Sequence, residues 1–72
     1  MRQEVLAEMV ANVWKVVASA GAPISEGETI CILESMKMEI PVEAPVGGTV
    51  AEVRVAEGTT VQEGDVIAVI EQ

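Results

Sequence analysis

Histidine, tyrosine and phenylalanine are missing from these 72 residues, and Cys31 and Trp14 are each the only one of their kind. One thiol without a histidine allows neither an intramolecular disulfide nor a zinc site. One aromatic ring cannot build a stacking pocket for a nucleotide or a sugar. Cations are scarce as well: 4 Lys and Arg stand against 12 Asp and Glu, for a net charge of −8. That balance argues against nucleic acid and anionic membrane as partners, since both attract clusters of Lys and Arg. It favours a soluble monomer and steering toward basic partner proteins. Long apolar runs are absent too. The longest, Val66–Ile70, has five residues, where a membrane helix needs roughly 20. Met1-Arg2-Gln3-Glu4 carries acid rather than a basic leader, so no targeting segment is expected. A lone cysteine without a leader fits the cytoplasm.

What remains is half hydrophobic and built from small aliphatic side chains. A chain of this length forms one domain, spanning 1–72, and buries only about 60% of its unfolded surface. Its stability must come from dense aliphatic packing.

The organising feature is an internal repeat. A shift of 37 positions without gaps lays Met9–Glu34 on Val46–Glu71. Val13 falls on Val50, Val16 on Val53, and Gly21 on Gly58. Ile24 falls on Val61, Glu26-Gly27-Glu28 on Glu63-Gly64-Asp65, and Ile30-Cys31-Ile32-Leu33-Glu34 on Ile67-Ala68-Val69-Ile70-Glu71. Each half predicts a strand (13–18, 50–55), a glycine turn, a brief apolar touch at Ile24 or Val61, a Glu-Gly turn and a closing strand (29–34, 66–71). Gly27 and Gly64 are placed to supply positive φ. Met1–Glu8 predicts a further strand capping a sheet edge. Pro41 cannot donate to a ladder and belongs at an edge or a bulge. Short strands between turn signals indicate an all-β sandwich or barrel. Neither half can bury its apolar face alone, so the two pack about a pseudo-two-fold axis.

Lys37 lies where the halves join, and it is one of only two lysines. In such a fold the join is an exposed hairpin, with the termini together at the opposite end. An arbitrary Met-Lys-Met triplet is a solvated turn with half-buried methionines. At this join, Lys37 is a primary amine held out toward an activated acyl group. Met36 and Met38 suit recognition by a modifying enzyme. Glu34 and Glu39 flank the turn as solvated strand ends or as docking groups. Trp14 reads as packing on a sheet face, with a partner contact as the alternative, and Cys31 as a core residue. With no histidine, a general base would have to be a carboxylate, so the chain reads as a carrier rather than an enzyme.

Ser35-Met36-Lys37-Met38 resembles the Ala/Ser-Met-Lys-Met signature of the biotinyl/lipoyl attachment domains, including biotin carboxyl carrier proteins. Ala44–Val50 and Gly58–Ile67 resemble the turn and strand segments of the same family, and the likeness runs from about Val5 to Glu71. It implies a flattened pseudo-two-fold barrel of two four-stranded antiparallel sheets. It implies that a biotin protein ligase attaches biotin to Lys37 and recognises Met36 and Met38. It further implies carriage of carboxyl groups as carboxybiotin, between a biotin carboxylase and a carboxyltransferase. A lipoyl carrier usually shows Asp and Ala beside its lysine, so lipoate on Lys37 is the lesser alternative. An unmodified small β interaction module is the other. The stretch Ala7–Asn12 departs from the family's Pro- and Gly-containing turn, and Asn12 is expected to supply left-handed φ there.

Overall fold

A computed structural model describes residues 1–72 as eight strands without a helix. They are β1 (Arg2–Leu6), β2 (Ala11–Val16), β3 (Pro23–Ile24), β4 (Thr29–Ser35), β5 (Met38–Glu43), β6 (Gly48–Val53), β7 (Thr60–Val61) and β8 (Val66–Glu71). They form two antiparallel four-stranded sheets. The terminal sheet has the order β1-β8-β6-β3, and the hairpin sheet β5-β4-β2-β7. Each repeat contributes strands to both sheets, so a half is not itself a sheet.

The 37-residue shift holds at the level of single backbone bonds. Asn12 pairs with Glu34 and Val13 with Leu33, as Thr49 pairs with Glu71 and Val50 with Ile70. Outside the ladders, Ala44 N–H donates to Glu28 O and Ala7 N–H to Asp65 O, both at 2.8 Å. The Glu-Gly turns close alike. Glu28 Oε1 accepts from Ser25 N–H, and Asp65 Oδ2 from Gln62 N–H, each at 2.8 Å. This explains the acid after each glycine: its carboxylate satisfies a turn amide. Gly27 and Gly64 have φ of 86° and 90°, as the pattern predicts.

Bulges shape the core. Thr29 opposes Glu43 and Cys31 opposes Val42, leaving Ile30 as an extra residue in β4. Ile67 is the matching extra residue in β8. A bulge breaks strict alternation, so neighbouring side chains can turn to one face. Ile30 with Cys31, and Ile67 with Ala68, are accordingly all fully buried. They join Val13, Leu33, Val50 and Ile70 in one hydrophobic cluster.

Three expectations need amending. The opening strands of the repeats start at Ala11 and Gly48 and end at Val16 and Val53, two residues earlier than their β-branched runs suggest. Asn12 is not left-handed; it lies in β2, where Thr60 Oγ1–H donates to its Oδ1 at 2.9 Å. Trp14 is less packed than expected, because it is the extra residue of a bulge between Val13 and Lys15 and remains 49% exposed. Pro41 lies in edge strand β5, as its missing N–H requires.

Candidate functional site

β4 and β5 pair from Thr29↔Glu43 to Ser35↔Met38, which leaves only Met36 and Lys37 to make the turn. Two-residue hairpin loops that follow the right-handed twist of their strands take positive φ at both positions (type I′) or at the first alone (type II′). Met36 and Lys37 have φ of 52° and 67°, and no other non-glycine residue is left-handed. Asn-Gly is the usual sequence for such a turn. A side chain with a Cβ pays roughly 1–2 kcal/mol there. The register on either side forces the turn, so the strain is held by the whole β4–β5 ladder. The sequence gives no signal for it, since neither Met nor Lys favours left-handed backbone.

The geometry separates the two lysines. Lys15 lies on β2 with its Nζ 6.0 Å from the centroid of the Trp14 ring. Lys37 is exposed at the tip of the turn and takes part in none of the ion pairs. Met36 is 89% exposed and Met38 59%, so the amine stands between two solvent-facing thioethers. Glu34 and Glu39 face each other one rung behind. The hairpin holds Lys37, Met36, Met38, Glu34 and Glu39 together, as their spacing predicts.

The hairpin carries no enclosing pocket. The depression beside it, lined by Asn12, Glu34, Ser35, Met36, Lys37 and Thr60 among others, has a volume of about 210 Å³ and is open. Sites that engulf a small molecule run to roughly 300–1,000 Å³. A group on Lys37 would stay in solvent, tethered and free to enter a partner. Burial pushes the Cys31 thiol up to about 11. A protonated thiol inside the core is a packing residue, without thiolate character to react.

The family profile described as "Biotin-requiring enzyme" matches residues 4–70. The "Biotinylated protein TB7.3 homolog" of Mycobacterium leprae is 53% identical over 70 residues, covering 97% of this chain and 99% of its own. The "Biotin/lipoyl attachment protein" of Bacillus subtilis is 52% identical over 60 residues, covering 83% of this chain and 82% of its own. Among solved structures, the urea carboxylase of Kluyveromyces lactis matches 99% of this chain with a TM-score of 0.92 and 32% identity. The chain spans only 6% of that large enzyme.

Proposed function

This chain belongs to the biotin-requiring family of attachment domains, and from that premise we propose that Lys37 is the residue that carries its biotin. The chain is a biotin carrier domain and not itself a catalyst. One observation carries the assignment to Lys37: it is the exposed amine at the tip of a hairpin whose turn is fixed by the register of its strands.

A biotin protein ligase is the loading enzyme in this reading. Lys37 Nζ, deprotonated, attacks the activated carboxyl carbon. An amide bond forms, the activating group leaves, and the proton passes to solvent or to the ligase. Met36 and Met38 offer that enzyme two flexible apolar contacts that adapt without a fixed pocket. When bound, biotin supplies a ureido nitrogen that takes up and gives back a carboxyl group. The domain contributes tethering: the rigid ladder holds the base of the arm, and the open hairpin leaves its tip free. Carriage of carboxyl groups between a carboxylase and a carboxyltransferase follows from the same likeness, in a cytoplasmic setting.

The test is intact mass spectrometry of the chain co-expressed with an active biotin protein ligase. The expected result is a gain of one biotinyl group, lost in Lys37→Arg although Lys15 is still present. A gain fitting lipoate would move the chain to the other branch of the family. An unshifted mass would leave an unmodified β module.

A further inference from the structure

The 37-residue shift gives every outward position on the hairpin sheet a counterpart on the terminal sheet, and the two outer faces differ in charge. On the terminal sheet the rung Arg2↔Glu71 is an ion pair, with Arg2 Nε 2.8 Å from Glu71 Oε2. Glu52 lies 3.7 Å from Arg2 and 3.5 Å from Arg54. Val69 lines a shallow depression with these side chains and is only 4% exposed, although its register points it outward. That face satisfies and covers itself.

On the hairpin sheet the same positions carry other residues. The counterpart of Arg2 is Glu39 and that of Glu71 is Glu34, so an ion-paired rung becomes two carboxylates in direct opposition. Like charges placed opposite each other across strands destabilise a sheet. The one cation on this face, Lys15, is the counterpart of Glu52 and stands opposite Ile32, but it makes no ion pair with either carboxylate; all four ion pairs lie on the terminal-sheet side. The counterpart of Arg54 is Val17, 54% exposed, and that of Ala51 is the half-exposed Trp14. Ile32 and Pro41 stand on the rung between. The face thus leaves two opposed carboxylates unpaired beside an apolar stripe, with its single cation, Lys15, set back over the Trp14 ring. Unpaired carboxylates next to an apolar stripe complement a protein surface bearing Lys or Arg around an apolar patch.

We infer that the outer face of the hairpin sheet, from Glu34 and Glu39 back to Ile32 and Trp14, is the docking surface for the enzyme that acylates Lys37. That enzyme supplies a cation to the Glu34–Glu39 rung and an apolar patch to Trp14. This rests on Lys37 being the loaded residue. Reach identifies the occupant. A bare lysine extends one side chain from the turn, so whatever acylates it must press against the domain around the hairpin. The acidic rung lies immediately behind the turn. The Ile32 rung lies three residues back from Ser35, roughly 10 Å at the usual strand rise, within one contact patch. A loaded arm is longer and relaxes that demand for the enzymes that use it.

Glu39→Arg tests this directly, because it rebuilds on the hairpin sheet the pair that Arg2 and Glu71 make on the terminal sheet. Initial rates of biotin transfer by a biotin protein ligase, with biotin and ATP, are measured for the parent, Glu39→Arg, Trp14→Ala and Glu4→Arg. Glu4→Arg makes the same charge change on the terminal face. Glu39→Arg and Trp14→Ala should each lower kcat/KM roughly tenfold through KM, while thermal melting shows Glu39→Arg folded and no less stable than the parent. Glu4→Arg should stay within about twofold. Added salt should slow the parent and leave Glu39→Arg nearly unchanged. A modified parent with either Glu39→Arg or Trp14→Ala at the parental rate overturns the docking face alone. So does an equal loss in Glu4→Arg, which would reduce the effect to net charge. An unmodified parent overturns the assignment of Lys37, and the docking face with it.

Discussion

Met36 and Lys37 hold left-handed backbone without the help of glycine or asparagine, and the consequence is measurable at a single residue. Asn tolerates that region better than Met. Met36→Asn should therefore stabilise the domain by about 0.5–1 kcal/mol, read as a higher urea midpoint with an unchanged slope. A lower midpoint would mean that Met36 contributes packing that outweighs its strain. Cys31 sets a limit in pH. Its thiol is pushed from 9.0 up to about 11 in the fold, so the unfolded chain ionises first as pH rises. The stability from the buried neutral thiol is complete below about pH 9 and is lost between there and about pH 11. Urea midpoints of the parent and Cys31→Ala should converge across that window, and alkylation of the native thiol should stay slow below it. The position of Lys37 at the exposed join was legible in the sequence, because its place between two repeats is a property of spacing. The backbone that presents it was not: positive φ there comes from the pairing of Ser35 with Met38, and a turn imposed from outside leaves no mark on the residues that make it.

The strands were legible as elements because glycines and acids repeat at fixed offsets from the apolar runs. Their starts were not, because Ala11 and Gly48 have little strand propensity and each strand bulges three residues later, at Trp14 and Ala51. A bulge inserts a residue without changing composition, so a period-two reading overshoots it. The choice of Gly48 is an element-scale constraint. A Cβ at that position would run into the carbonyl oxygen of Glu71 on β8 and press on Ile70. The clash is with backbone, which cannot swing aside. Gly48→Ala should cost about 1–3 kcal/mol, a clear drop in melting temperature with β6 bent away from β8. Ala11 at the matching position on β2 is buried and accommodated. Ala11→Gly should therefore cost only about 0.5–1 kcal/mol, and similar losses at the two sites would contradict the close approach at Gly48.

For the molecule as a whole, both repeats feed one cluster, so neither half has a core to keep if the other fails. A domain of this size has roughly 4–11 kcal/mol of stability in total, and truncating a fully buried isoleucine costs about 2–5 kcal/mol. Ile67→Ala should thus remove a large fraction of it, and so should Ile30→Ala in the other repeat. Each should melt in a single transition; two transitions would mean that the halves fold separately. The same symmetry bears on how the domain responds to tension. Gln72 N–H donates to Met1 O at 2.8 Å and Arg2 pairs with Glu71, so both ends of the chain leave from one end of the β1–β8 ladder. A pull applied between the ends meets those hydrogen bonds one at a time, in peeling geometry, rather than many in parallel shear. The domain is mechanically soft along its own backbone: tension between its ends opens the β1–β8 ladder from the rung of Arg2 and Glu71 inward.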